Sequence, residues 1–500
     1  MRSTSMKSCV RYAWTLGAAA ILAGCAVGPR YVEPEPTVIE LASPQAAQFD
    51  AQGGEAVPAD WWRLFEDEGL TYWVEAALAH NHDVRHARAN LLAARAVSDE
   101  RRLDRLPGAT ADGRYSRGIQ QRPGAGAEPV RSLAESFRAG FDMQWEIDLF
   151  GRLDRLREAA TARAEASGAE LDLMRLSVAA DVARLWFEAQ GLRRQLAAAE
   201  QEEASWRETL ALAQALSRGG AGLPEEVQNA RSNLLRSEAA IPPLRAALQR
   251  TRYRLGVLAG RRPGAVRANV GAATAVPLVK RLSLAGADRL IRSRPDVRRA
   301  ERLLAASVED VGAATADLYP RLSLGGFVGF FVLRDGDLGA AASRAFELTP
   351  GITWPALRWG NARARLRGAQ ALSEGALARY EQVLLHAQEE VENAVTQLAE
   401  AQQRLAALLG SARHAGAALE IAEKRYRAGS GSYQAVLENQ RALFQLRQQI
   451  ALAETASQIQ VVALCKALSC GAGSAGRDSA SPGKGRPPGG GRLGLELYSG

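Results

Sequence analysis

Two periodicities alternate along this 500-residue chain. From Phe137 to Leu149, apolar positions (Phe137, Ala139, Phe141, Met143, Trp145, Ile147, Leu149) take turns with Arg138, Gly140, Asp142, Gln144, Glu146 and Asp148. That two-residue period predicts a strand with one apolar and one polar face. Phe346, Leu348, Pro350, Ile352 and Trp354 alternate in the same way with Glu347, Thr349, Gly351 and Thr353. Residues 109–117 and 321–333 supply the partner strands, the latter through Leu322, Leu324, Val328, Phe330 and Val332. Such a pattern over about ten residues suits a strand of a membrane β-barrel, apolar toward lipid and polar toward a watery lumen. A soluble sheet with one wet face alternates identically, so the pattern alone leaves both open.

Elsewhere the period lengthens. Leu171, Met174, Val178, Leu185 and Leu192 advance in steps of three, four and seven, the seam of a coiled coil. Proline is absent from 151–223 and from 360–481. Each stretch therefore predicts one helix of roughly 65 residues, over 151–217 and 361–427, about 100 Å long at 1.5 Å per residue. Few globular domains need such a helix; a tube crossing a periplasm does. Each closes on a glycine-rich turn, 219–222 and 429–431, and a second helix returns over 224–258 and 433–468. Pro242-Pro243 should kink the first of these return helices.

These elements come in duplicate, about 210 residues apart. Asp83-Val84-Arg85, Leu91, Ala93, Asp104 and Pro107 recur without a gap as Asp296-Val297-Arg298, Leu304, Ala306, Asp317 and Pro320. Trp145 and Gly151 recur as Trp354 and Gly360, and 218–222 recurs as 427–431. One structural module occurs twice, in a pseudo-symmetric arrangement.

The ends are different. Arg2, Lys7 and Arg11 precede a short apolar stretch closing on Leu22-Ala23-Gly24-Cys25, which resembles a bacterial lipobox. Cleavage before Cys25 and its acylation follow from that resemblance, since several acyl chains anchor firmly where one does not. Ala26, in place of an aspartate, favours the outer membrane by the same resemblance. Cys465 and Cys470 are five apart, poor helical geometry for a disulfide. After 470 the chain is rich in Gly, Pro and Ser, a composition that builds no core and predicts disorder.

Composition agrees with long, closely packed helices: the chain is rich in Ala, Leu, Arg, Glu and Gln, and only 6% aromatic. The net charge of +8 is spread along the helices without a basic block, so no nucleic-acid partner is implied. His82 and His86 share a helix face at a zinc-compatible spacing, but Asn81 and Asp83 beside them match the start of a helix. No P-loop, G-x-S-x-G or H-E-x-x-H occurs, and neither an enzyme nor a cofactor is expected.

At this point the chain resembles the outer membrane factor family, the TolC-like exit ducts, in its NodT/OprM-type lipoprotein branch. Cys25-Ala26-Val27-Gly28-Pro29-Arg30-Tyr31 matches the branch's start. Asp60-Trp61-Trp62-Arg63-Leu64-Phe65 with Asp67 and Leu70 resembles its "WW..F.D..L" segment. Ile241-Pro242 with Arg254-Leu255, Leu258 and Gly260, and Arg294-Pro295-Asp296-Val297 with Leu318-Tyr319-Pro320, resemble two further signatures. The resemblance covers roughly 22–470. It implies an α+β membrane protein, a homotrimer in which four strands per chain close a 12-stranded barrel continued by a periplasmic helical tunnel. It also implies an exit duct of a tripartite efflux system, joined through a periplasmic adaptor to an inner-membrane pump and anchored in outer-membrane lipid. Independently, four strands cannot close a barrel, and open edges are not tolerated in lipid, so an oligomer is required. The chain divides into a signal peptide (1–24), a lipid-anchored segment (25–66), the two repeats (67–262 and 283–468) and a tail (469–500).

The same resemblance places a gate at the periplasmic tip, where Tyr433-Gln434-Ala435-Val436-Leu437-Glu438-Asn439-Gln440-Arg441 corresponds to a "YLDVLDAQR"-like segment. Gln434 and Glu438 lie four apart and so share a helix face. Three copies of Glu438 would make one carboxylate ring, with Ala435 standing where relatives often carry a first acid. Lys424, Arg425 and Arg427 are candidates to pair with acids and hold the tip shut. Gly220, Gly222, Gly429 and Gly431 mark the tips that would meet the adaptor. A lipid-anchored adaptor is the nearest rival, but it would not carry paired membrane hairpins or this duplication.

Overall fold

The structure, a computed structural model, describes residues 27–34, 60–123, 129–220, 222–263, 291–333, 337, 339–428 and 430–469. Cys25, Gly429, the signal peptide and the tail from Cys470 onward lie outside the described residues. In chain order the elements are α1 (Glu68–His80), α2 (His82–Leu103), β1 (Gly108–Pro123), β2 (Pro129–Ile147), α3 (Arg152–Arg218), α4 (Pro224–Leu258), α5 (Pro295–Ala316), β3 (Arg321–Val332), β4 (Arg344–Thr353), α6 (Trp359–Arg427) and α7 (Tyr433–Ala467). A 3-10 turn, Trp61–Phe65, precedes α1.

Helices α3 and α6 run 67 and 69 residues, within two residues of the sequence boundaries. Gly151 at the start of α3 adopts φ +79°, a left-handed conformation that glycine takes without strain. Helix α4 continues through Pro242-Pro243 with Ile241 buried beside them. Two carbonyls, of Glu238 and Ala239, thereby lack a helical donor. The strands of the first hairpin reach beyond the alternating segments, because residues 129–136 alternate poorly yet still pair, down to Pro129 opposite Pro123.

The four strands form one antiparallel sheet in the order β1-β2-β3-β4. Its register repeats with the sequence: Tyr115 faces Phe137 in the first hairpin, and their duplicates Val328 and Phe346 face each other in the second. The hairpins are fastened alike. Trp145 Nε1 donates to the carbonyl of Arg105 at 3.0 Å, and Trp354 Nε1 donates to Leu318, the duplicate carbonyl, at 3.1 Å.

The largest core lies around the middle of α3, where Trp186 and Phe187 meet Trp61, Trp62, Phe65, Leu70 and Trp73. Asp67 organises it: its carboxylate accepts from Leu70 N, capping α1, and from Trp186 Nε1 and Gln190 Nε2 at 2.9 and 3.0 Å. Gly69 must be small, since a Cβ there would sit 2.5 Å from the Trp186 ring. Return helices are fastened at their far ends by duplicated contacts. Asn81 Nδ2 donates to the carbonyl of Leu258 at the end of α4, and Arg294 Nη1 to that of Ala467 at the end of α7.

Candidate conduit and gate

One face of the sheet is apolar and exposed, with Tyr115, Phe141, Val328, Phe346, Leu348 and Ile352 standing out from it. The opposite face carries Asp112, Arg138, Asp142, Glu347 and Thr349. Arg138 binds Asp142 through both guanidinium nitrogens and reaches Asp112 on β1 at 3.3 Å. Its guanidinium lies 3.8 Å from the centre of the Phe327 ring, a cation–π contact. Phe327 is buried although it stands on the polar face, because its ring covers the cross-strand pair Gly140–Gly329. A Cβ on Gly140 would lie 2.7 Å from both that ring and the Gly329 backbone. A polar, charged wall thus backs an apolar one, as a strand between lipid and a wet lumen requires. Sequence reasoning missed this arginine–phenylalanine ledge, although the Gly325-Gly326 and Gly329 positions within a strand were a signal for a close approach.

Some hundred ångströms of helix away, α3 turns into α4 and α6 into α7. Gly220 takes φ +75°. A Cβ on Gly222 would meet Leu216 Cβ at 3.0 Å, and one on its duplicate Gly431 would meet Arg425 Cβ at 3.0 Å. Both tips therefore crowd a glycine in the same way, the chain folding back onto the last helical turn. Ser432 Oγ accepts from Ala435 N and caps α7.

The candidate gate residues Gln434 and Glu438 are adjacent on one exposed face, with Gln434 Nε2 donating to Glu438 Oε1 at 2.9 Å. The basic residues before the turn find partners within their own helix and turn. Lys424 pairs with Glu420 on its own helix at 2.6 Å, and Arg425 donates to the carbonyl of Ser430 in its own turn. Spacing explains it: Glu420 lies one helical turn away, whereas an acid on another helix must be reached across the gap. The Arg427 side chain lies outside the described residues.

Near this tip, ties between helix pairs come from Gln440 and Arg441, which the sequence reading quoted without a role, and from Gln448. Gln440 donates to Ser205 on α3, Arg441 to Asn233 on α4 at 3.2 Å, and Gln448 to Glu202 on α3 at 3.2 Å. Behind them Trp206, Leu437 and Phe444 form a small core. Across the second tip the rings of Tyr426 and Tyr433 lie 5.6 Å apart. Burial, then the neighbouring Tyr426 and Glu226, push the Tyr433 hydroxyl up to about 12. Far from this tip, Asn81 caps α2 through Asp83 N and Val84 N, and His86 hydrogen-bonds Asn90.

Residues 27–34 follow directly after the candidate lipid site. Val27 N donates to the carbonyl of Phe150, just past the end of β2, and Phe150 stacks on Tyr319 at 4.8 Å. Tyr31 then binds α5, its backbone N–H to Glu309 and its hydroxyl to Glu301 at 2.7 Å. Glu309 also holds Arg155 of α3 at 2.7 Å, with both side chains over nine-tenths buried.

Comparison with known proteins agrees with this architecture. The family model described as outer membrane efflux protein matches residues 73–261 and again 287–469. The outer membrane protein OprJ of Pseudomonas aeruginosa is 30% identical over 474 residues, 93% of this chain and 95% of that protein. Nodulation protein T of Rhizobium leguminosarum bv. trifolii is 29% identical over 85% of this chain and 89% of its own length. The solved structure of the outer-membrane channel OprN superposes with a TM-score of 0.84 at 35% identity, covering 89% of this chain and 99% of that one. A β-hairpin feeding a hundred-ångström helix, twice over, is thus accounted for: the chain belongs to the outer membrane efflux protein family, and it is an outer-membrane channel of efflux.

Proposed function

We propose that three copies of this chain close a 12-stranded barrel in the outer membrane and a helical tunnel beneath it. The resulting duct is the exit of a tripartite efflux system, receiving solutes from an inner-membrane pump through a periplasmic adaptor. The observation that carries the reading is the pair of open sheet edges. Strands β1 and β4 each have a neighbour on one side only, and an unpaired edge in hydrocarbon leaves a row of backbone groups unsatisfied. Acylation at Cys25 anchors each copy to outer-membrane lipid. The hydrogen bond from Val27 to Phe150 supports this, since it holds the chain two residues after Cys25 beside the end of the strands. The turns at Gly220, Gly222, Gly429 and Gly431 face the adaptor.

Gln434 and Glu438 line the gate, and three Glu438 carboxylates form a ring that attracts cations and repels itself. The test is single-channel conductance in a planar bilayer, wild type beside Glu438→Ala. Small cation-selective openings, larger and less selective in the variant, are the expected result. A reversal potential that the variant leaves unchanged in a salt gradient moves the gate elsewhere. A soluble monomer without conductance overturns the trimeric duct.

A further inference from the structure

The two hairpins enter their long helices through junctions of opposite charge. Residues 146–158, from the end of β2 into α3, contain Glu146, Asp148, Asp154 and Glu158. On the shift that carries Gly151 to Gly360, their duplicates are Pro355, Leu357, Arg363 and Arg367, and no acid remains in 355–367.

The first junction is satisfied by its own chain. Glu146 binds Arg152 through both carboxylate oxygens, and Asp148 accepts from the backbone N–H of Asp154 at 2.8 Å. Val27 is tied to Phe150, and the Tyr319 ring stacks on it.

The second junction is open. Trp354, which continues the outward apolar row just past β4, is 55% exposed; Trp359 is 43% exposed and Leu357 fully so. Arg363 lies over the Trp359 ring at 4.2 Å. Arg365 reaches Asp317 at 3.9 Å, whereas Arg358, Arg363 and Arg367 pair with no acid among the described residues. Along the outer face, Phe346, Leu348 and Ile352 thus give way to Trp354, and then to Leu357 and Trp359 with arginines among them. Apolar, then aromatic, then cationic is the order in which a surface meets hydrocarbon, interface and head groups.

We propose that the second junction binds a phospholipid of the periplasmic leaflet. Arg358 and Arg363 take its phosphate, and Trp354, Leu357 and Trp359 meet its glycerol and upper acyl chains. Two observations select this occupant: the cations lack acids of their own, and the patch continues the lipid-facing wall of the sheet. Arginine suits the task, since its N–H donors grip phosphate in pairs. Unpaired cations also favour a head group of net negative charge, so phosphatidylglycerol should bind more tightly than phosphatidylcholine. The two junctions then differ in where their lipid comes from. The proposed acylation of Cys25 brings covalent chains to the first, through Val27. The second recruits a free lipid.

This inference rests on the proposed placement of the sheet in the bilayer. Its test is native mass spectrometry of the full-length protein in nonionic detergent, titrated with phosphatidylglycerol and with phosphatidylcholine. Discrete phosphatidylglycerol adducts, up to one per chain and weaker with phosphatidylcholine, are the expected result. Arg358→Gln/Arg363→Gln should weaken them about twenty-fold, and either substitution alone about five-fold with the oligomeric mass unchanged. Arg404→Gln/Arg413→Gln, far along α6, should leave them as they are. Equal losses in the two double variants assign the adducts to diffuse charge and overturn the site, as does undiminished binding in the first. Single variants that dissociate into monomers yet keep their lipid assign the junction to protein contact and reject the proposal. Channels that conduct but hold no phospholipid overturn the site and leave the duct reading standing. A wild type that neither assembles nor binds lipid overturns both.

Discussion

Helices α3 and α6 are the same element in two copies, yet α3 buries 24 residues and α6 six among those described. Length and helix-forming composition do not separate them; what separates them is how much of their surroundings their own chain supplies. Helix α3 lies between helices on both flanks and can hold charge inside, because Arg155 finds Glu309 and both are shielded by residues 27–34. At the duplicate positions α6 and α2 carry alanines, and apolar side chains flank them. A flank that its own chain leaves uncovered offers no acid to pair a buried arginine, and leaving a buried charge without its partner costs about 3–5 kcal/mol.

Replacing half of the buried pair in α3 by the alanine of its duplicate breaks the comparison most severely. Arg155→Ala strands Glu309 in a site almost sealed from water and should cost about 3–5 kcal/mol. Adding Glu309→Ala removes the stranded charge, and most of the loss should return. Urea unfolding of the wild type and both variants measures this, and a double variant no more stable than the single would refute the argument.

The caps at the ends of α4 and α7 offer a milder contrast. Asn81 and Arg294 occupy duplicate positions and hold duplicate carbonyls, but Arg294 is also bound to Asp296 and Glu390. Its removal leaves two acids without their partner. Arg294→Ala should therefore cost about 2–3 kcal/mol and Asn81→Ala about 1–2. Hydrogen exchange at the last turns of the two return helices compares them directly, and equal loosening would mean that the acids contribute nothing.

Most of the fold was legible in the sequence because duplication shows every element twice. The alternation from Phe137 onward marked a strand, and its recurrence after Arg344 marked a hairpin pair; the matching registers follow from the same repeat. The signatures "RPDV" and "WW..F.D..L" were legible as resemblances, and their physics emerged only in three dimensions, as a cap on α7 and as Asp67 collecting two side chains of α3. The buried pair Arg155–Glu309 spans 154 positions and has no counterpart in the second copy, so neither periodicity nor repetition could reveal it. Gln434 and Glu438 were placed on one face by spacing alone. The pairing of Lys424 with Glu420 was legible as an i, i+4 spacing that the sequence reading passed over, whereas the bond of Arg425 to the Ser430 carbonyl depends on how the turn folds back.

The smallest expected effect distinguishes the two tips. Tyr426 and Tyr433 face each other at the second tip, and the first has Ser217 and Pro224 at the duplicate positions, with nothing there to titrate. The Tyr433 hydroxyl, pushed up to about 12 by burial, stays neutral in the folded tip at a pH where a free tyrosine, near 10, has begun to ionise. Its contribution to stability is full below pH about 10 and is lost as pH rises toward 12, because over that interval the opened state releases a proton that the closed state keeps. Alkali should therefore loosen the second tip and spare the first. Proteolytic nicking at the turn near Ser430, followed from pH 9 to 11, should accelerate in the wild type and far less in Tyr433→Phe, while nicking near Gly220 stays flat in both. Parallel acceleration at the two turns would mean that alkali opens the whole helical bundle and that the two tips do not differ.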